Sequence, residues 1–352
     1  MAHEGRYSLP RKRLMRISGQ CVLLACAAIG LAAPQSAWSW GAAGHRIIGH
    51  LAIEALPIDL PAFLRTQEAI AAIGELAREP DRWRLAGRIH DTDRDPGHFL
   101  DVDDAGKVLG GPALADLPAT RAAFEAALNA AGADQWRSGY LPYAIVDAEE
   151  QLAKDFAYWR VETTAGQSVV NRAHRDWLAK DALLRESLIL RDLGVLAHYV
   201  GDGSQPLHVS VHFNGWGDFP NPEGFTQGRI HAYFEGEFVH DYVSEAVVQA
   251  DMAPYLDCHC SYDRHASAFL MATNAEVATF YRLEKKGGFI DGDVRGRAFA
   301  ARRLAAGADE LRDDIIDAWR ASLAGVIGYP PLKVADVLSN KIDPYDALYG
   351  LD

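Results

Sequence analysis

Cysteine is scarce: of the four in this chain, Cys21 and Cys26 lie near the amino terminus, and Cys258 and Cys260 stand two apart in Asp257-Cys258-His259-Cys260. A zinc site needs more ligands than that pair supplies, so the segment reads as two thiols or a local bridge in a surface loop. Basic residues are in deficit as well. Lys+Arg number 35 against 48 Asp+Glu, a formal charge of -13. This excludes a broad basic surface that grips nucleic acid. An anionic substrate would have to be drawn in locally, and bound cations can do that. Long apolar runs are missing too. The stretch from Cys21 to Ala33 is too short to span a bilayer and no later one is longer, so no membrane span is expected. Strand-like alternation is sparse, and there is no internal repeat, low-complexity tract or dividing linker.

The first 39 residues read as a secretory signal peptide. Arg11, Lys12, Arg13 and Arg16 form a basic leader, the apolar stretch follows, and Ala37-Trp38-Ser39 puts small residues where a signal peptidase reads them. Leu23-Leu24-Ala25-Cys26 loosely spells a lipidation site, but the apolar run continues past Cys26. Cleavage after Ser39 makes Trp40 the new terminus, implies a secreted or periplasmic location, and leaves the remainder more acidic still.

The remainder, residues 40–352, reads as one mostly helical, all-α domain. Apolar residues make up 49% of the chain, enough for one large core or two modest ones. Ile47, Ile48, Leu51, Ala52 and Leu56 fall on one helical face, and similar spacing recurs over Ala119–Ala131, Ile145–Trp159, Ala179–Val200 and Phe299–Ile327. Gly, Pro and Asp mark loops at Asp91–Gly111 and Asn214–Gly228. The end of the chain, from Gly328, reads as a late short helix and tail without chemistry.

Four segments carry the chemical signal. The densest is His198-Tyr-Val-Gly-Asp202-Gly-Ser-Gln-Pro-Leu-His208, in which His198 and Asp202, four apart, share a helix face. Pro206 suits the helix end, and His208 follows where the chain can turn toward a neighbouring site. His231 and Glu235 repeat the spacing. Glu79-Pro-Asp81-Arg-Trp-Arg84 precedes a loop ending in Gly97-His98-Phe99-Leu-Asp101, and Trp40-Gly-Ala-Ala-Gly-His45 is the processed end. Singly, a His and a carboxylate four apart are more often an exposed ion pair, and His50, His90 and His240 read as satisfied or solvated. Together the segments offer imidazoles and carboxylates without thiolate, a ligand set suited to hydrolytic zinc.

In these motifs and their order the chain resembles the zinc-dependent P-one/S-one nucleases, which share an all-helical fold with the bacterial zinc phospholipases C. HYVGDGSQPLH is the most specific part of the match. The resemblance implies three zinc ions. One would be held by Asp81, His98, His198 and Asp202. A second would be held by the amino and carbonyl groups of Trp40, by His45 and by a bridging Asp202. The third would be held by His208, His231 and Glu235. It also implies that Asp81 orients the attacking water, that Arg84 neutralises a phosphate in flight, and that Phe99 stacks on a base whose edge Asp101 hydrogen-bonds. Taken alone, those last two read as a core Phe and a loop-capping Asp.

The implied activity is hydrolysis of single-stranded DNA and RNA to 5'-phosphate products, with nucleic acid or nucleotides as substrate and no protein partner. One position departs. The nucleases generally present Asp four after the His, where this chain has Glu235, as the phospholipases do. Phospholipase C activity on phospholipid head groups is therefore the competing expectation, favoured also by Phe213, Trp216, Phe219 and Phe225 in the Val211–Phe225 loop. His212, in that loop, reads as a supporting or surface group rather than a ligand. A zinc-binding scaffold without catalysis is a weaker third reading.

Overall fold

A computed structural model describes residues 40–350 of the chain; the expected signal peptide, residues 1–39, lies outside the described residues. Six helices build the frame. α1 (Ala42–Glu54) buries Ile47, Ile48, Leu51 and Ala52, the face read from the sequence. α2 (Gln67–Leu76) starts where the Thr66 side chain accepts from the Ala69 amide, satisfying one of the free donors of a first turn. α3 (Leu141–Ser168) has Pro142 in its first turn, where no helical hydrogen bond is lost. α4 (Arg172–Ser204) follows after three residues, capped by Asn171, and the two long helices pack against each other as a hairpin. α5 (Tyr262–Asn274) and α6 (Val294–Ala321) complete the set, and α6 is buried on most of its circumference.

The main core runs from Trp40 and α1 through the inner faces of α3, α4 and α6 to an aromatic group of Phe234, Phe238, Phe280, Phe289 and Phe299. A smaller core forms around Val161, Leu178, Ile327 and Val334. Among the described residues the only sheet pairs β1 (Val326–Ile327) antiparallel with β2 (Leu332–Lys333). The fold is thus all-α in the main, as expected.

Close helix approach explains two glycines. A Cβ on Gly201 of α4 would lie 2.8 Å from Nδ1 of His45 on α1. A Cβ on Gly307 of α6 would lie 2.9 Å from the Ser204 hydroxyl and 3.0 Å from Ile48. A side chain at either place would displace His45, Ile48 or Ser204 from its packed position.

Several boundaries differ from expectation. The last long helix stops at Ala321 rather than Ile327: residues Ser322–Ala324 tighten into a 3-10 turn, and Val326–Ile327 become a strand. The segment expected as loop from Asp91 begins inside a helix, Arg88–Arg94, which buries no residue and so leaves no periodic trace. Beyond Gly328 there are two short helices, Val334–Leu338 and Tyr345–Tyr349, in place of one. The helices Gln67–Leu76, Tyr262–Asn274 and Val277–Lys285 went unread in the sequence. Cys258 and Cys260 form the local disulfide, in an exposed segment.

Candidate metal centre

The last turns of α4 hold His198 and Asp202, both fully buried. Pro206 prevents α4 from continuing, because the residue before a proline is pushed out of helical geometry, and Gln205 is extended. The chain then turns through Pro206–His208 and brings His208 back over the same end. α1 delivers His45 across Gly201, its ring stacked on that of His198 at 4.3 Å. His98 closes a 3-10 turn, Asp95–His98, and Asp81 sits in the short helix Glu79–Arg82 after α2. Four stretches far apart in sequence therefore meet at one helix end.

Asp202 faces both ways. Its Oδ1 lies 3.6 Å from Nε2 of His45, while its Oδ2 lies 3.0 Å from Nδ1 of His98 and 3.3 Å from Nε2 of His198. The His98 and His198 nitrogens are themselves 2.8 Å apart. His198 donates its Nδ1–H to the carbonyl of Ala77 at 2.9 Å, which directs Nε2, as a lone pair in the neutral ring, toward Asp202. Arg84 places Nε 3.2 Å from Oδ1 of Asp81.

A second group lies alongside. Nε2 of His231 is 2.8 Å and Nε2 of His208 is 3.6 Å from Oε2 of Glu235. His208 donates its Nδ1–H to the carbonyl of His98 at 2.7 Å, and the Leu100 amide donates back to the carbonyl of His208 at 2.8 Å. This exchange locks the His98 and His208 segments in register. Glu235 lies within a π-helical stretch, Tyr233–Phe238, rather than on a regular helix; such widened turns recur at functional sites.

Donor atoms of His45, His198 and Asp202, of Asp81, His98 and His198, and of His208, His231 and Glu235 lie within 4.8 Å of one another in each set, so these groups could hold metal ions. The polar accounting fits a cation. Glu235 Oε1 is buried with neither a hydrogen bond nor an ion pair among the described residues, and Asp81 Oδ1, Asp202 Oδ1, His208 Nε2 and His231 Nε2 are buried with ion-pair contacts alone and no hydrogen bond. Buried polar atoms are rarely left so unless something binds them. Burial holds His45 well below the usual histidine range and His98 down to about 4, keeping both rings neutral as ligation requires. Burial also works against the charged form of His208, but Asp202 and Glu235 outweigh it and lift that ring to about 9. For Asp202 the burial penalty is overcome by His198 and His208, and its carboxyl falls well below the usual range.

The other named residues find mixed places. Phe99 is half-buried and adjoins the centre through His98. Burial pushes the carboxyl of Asp101 up to about 8, with His208 pulling the other way. The indole of Trp40 is buried and donates to Oγ of Ser204 at 2.7 Å, and the ring packs 5.4 Å from Phe234, so Trp40 is pinned between the two ligand segments. In the Val211–Phe225 loop, Trp216 and Phe225 are packed away while Phe213 and Phe219 stay exposed. His212 is buried, stacked on Trp216 and bonded to its carbonyl and to Asp104, a supporting role. His50 pairs with Glu245, His90 lies beside Asp91, and His240 is exposed.

Three supporting residues escaped the sequence reading. Gln205 reaches Glu235 from Nε2 at 3.4 Å, Arg303 donates to the carbonyl of Ser204 at 3.0 Å, and Ala77 supplies the carbonyl that orients His198. Gln205 lies inside the quoted motif; the other two carry no local signal. Compared with known proteins, the chain matches no family model and no curated protein.

Proposed function

We propose that this protein is a secreted zinc-dependent phosphodiesterase that hydrolyses single-stranded DNA and RNA, leaving 5'-phosphates. The observation that carries this reading is the meeting of five imidazoles and three carboxylates, with no thiolate, in three groups, two of which share His198. Such a donor set suits zinc with open positions better than a closed structural site. Trp40, His45, Asp81, His98, His198, Asp202, His208, His231 and Glu235 would hold three ions, with Asp202 presenting one oxygen to each side. Zinc bound there would supply Lewis acidity toward phosphate oxygens and lower the pKa of water toward roughly 7.

The protein's own groups do the rest. Asp81, paired with Arg84 at the edge of the centre, offers a carboxylate with which to orient a water. Arg84, next to it, sets a guanidinium against charge gathering on non-bridging phosphate oxygens. The carbonyls of Ala77 and His98 fix the tautomers of His198 and His208, so neither ring reorients during turnover. Phe99 offers a face to an unstacked base, which favours flexible single strands over rigid duplex on an acidic body. The reading includes removal of residues 1–39, which frees the amine of Trp40.

A second reading, phospholipase C activity, draws on Glu235 and on the exposed Phe213 and Phe219. The test is a substrate panel on protein beginning at Trp40: single-stranded DNA, the matching duplex and short-chain phosphatidylcholine. Faster cleavage of the single strand supports the nuclease reading. Release of the lipid head group alone transfers the site to the second, and no hydrolysis of any of the three overturns both.

A further inference from the structure

A separate cluster lies between α3, α5 and α6. Glu310 and Asp314, four apart, project from one face of α6 toward His265 of α5. Nε2 of His265 is 3.5 Å from Oε2 of Glu310, and its Nδ1 is 3.4 Å from Oδ1 of Asp314. One donor atom of each residue lies within 4.8 Å of the others, a spacing matched in the described residues only by the three groups above. Glu149 of α3, itself only 1% exposed, brings a third carboxylate close enough to be repelled by Asp314.

The charges here do not balance. Glu149 Oε1, Glu310 Oε1 and Asp314 Oδ2 are buried without a hydrogen-bond partner among the described residues, as is the hydroxyl of Tyr262, one turn before His265. Among those residues no Lys or Arg pairs with any of the three carboxylates, since the neighbouring Arg312 is taken by Asp309 and Asp313. A protonated His265 supplies one positive charge against three negative ones. Buried carboxylates are tolerated when paired, when they coordinate a cation, or when they take up protons. Proton uptake explains the charge but not why an imidazole and several bare oxygens converge on one point.

We propose that His265, Glu310 and Asp314, with Glu149 behind them, form a further divalent-cation site, separate from the His198–Asp202 centre. Oxygen donors dominate and a single imidazole joins them, a set compatible with a hard divalent cation such as Mn2+. His265 and Glu310 keep 13% and 11% of their side-chain surface exposed, which gives an ion a way in from solvent. Helices from three parts of the chain meet there, so a bound ion would tie them together.

The test uses the full chain stripped with chelator and crystallised after addition of MnCl2, with anomalous data collected at the manganese edge. A peak among His265, Glu310 and Asp314 is expected, and its absence overturns the proposal. In solution, Mn2+ binding followed by electron paramagnetic resonance should fall by one equivalent in Asp314→Asn and in His265→Gln. Unchanged stoichiometry in both variants assigns the cluster to protons instead. A parallel arm with ZnCl2 shows which ion the site prefers. The two readings fail separately: a peak here with none at His198 and Asp202 leaves this site standing and removes the proposed catalytic centre, and the reverse pattern does the opposite.

Discussion

Two groups of buried acids flank α6, and they solve the same electrostatic problem differently. At the end of α4, Asp202 and Glu235 are surrounded by five imidazoles, and Glu235, like Asp202, titrates below the usual carboxylate range once its histidine partners outweigh burial. Between α3, α5 and α6, Glu310 and Asp314 share one imidazole with Glu149 close by, and burial with repulsion from neighbouring acids drives all three upward. The first group balances its acids with imidazoles, two of which are oriented by backbone carbonyls. The second is a shell short of positive charge. The ratio of imidazole to carboxylate, rather than burial itself, sets whether an acid in this protein is ionised when no cation is present.

The strongest way to break the comparison is at Asp202. Asp202→Ala should lower hydrolysis by about a thousandfold or more, because it removes the carboxylate shared between ligand groups. Bound metal and rate should fall together, and full activity in this variant would refute the centre.

Next come the isosteric variants, measured in chelator by denaturant unfolding, where the two regions should respond with opposite sign. Asp202 has a depressed carboxyl, so its contribution is present above the ordinary carboxylate range and lost as pH falls. Asp202→Asn should therefore destabilise the protein at pH 8, by about 1–3 kcal/mol. Asp314 has a raised carboxyl, so its contribution is complete in acid and lost as pH rises. Asp314→Asn should leave the metal-free protein more stable than the parent at pH 8, and the gain should vanish near pH 4. Equal effects of the two changes would erase the distinction drawn between the clusters.

A smaller effect tests helix approach. Gly201→Val must displace His45, at a cost of about 1–3 kcal/mol for overpacking. It should weaken metal binding at the His198–Asp202 centre while sparing ion uptake at His265, as read by site-resolved anomalous scattering. The smallest change expected is in Phe99→Ala. Losing a stacking face should raise KM for single-stranded DNA about threefold to tenfold with kcat nearly unchanged. A fall in kcat instead would place Phe99 in support of His98.

Much of the candidate metal centre was legible because its residues come in short motifs. His198 with Asp202 and His231 with Glu235 announce themselves by spacing, and the proline after Gln205 marks where α4 must end. The second cluster was not legible. Glu310 and Asp314 stand in an acidic run, Asp309-Glu310-Leu311-Arg312-Asp313-Asp314, where nothing local separates an inward acid from a solvated one. His265 has no carboxylate four residues away on its own helix to draw attention to it.

The sequence by itself determined the helical class, the scarcity of strand and the acidic balance, because each follows from composition or from a period of a few residues, while the candidate ligands were named by motifs that resemble a known family. Only the tertiary structure decided that Asp202 presents one oxygen to His45 and the other to His98 and His198, that Ala77 and His98 carbonyls set the histidine tautomers, and that Glu149 meets Asp314. Apart from Asp202 with His198, those relations join residues more than a hundred positions apart. They depend on how closely helices approach, which glycines such as Gly201 and Gly307 permit but which no local pattern encodes.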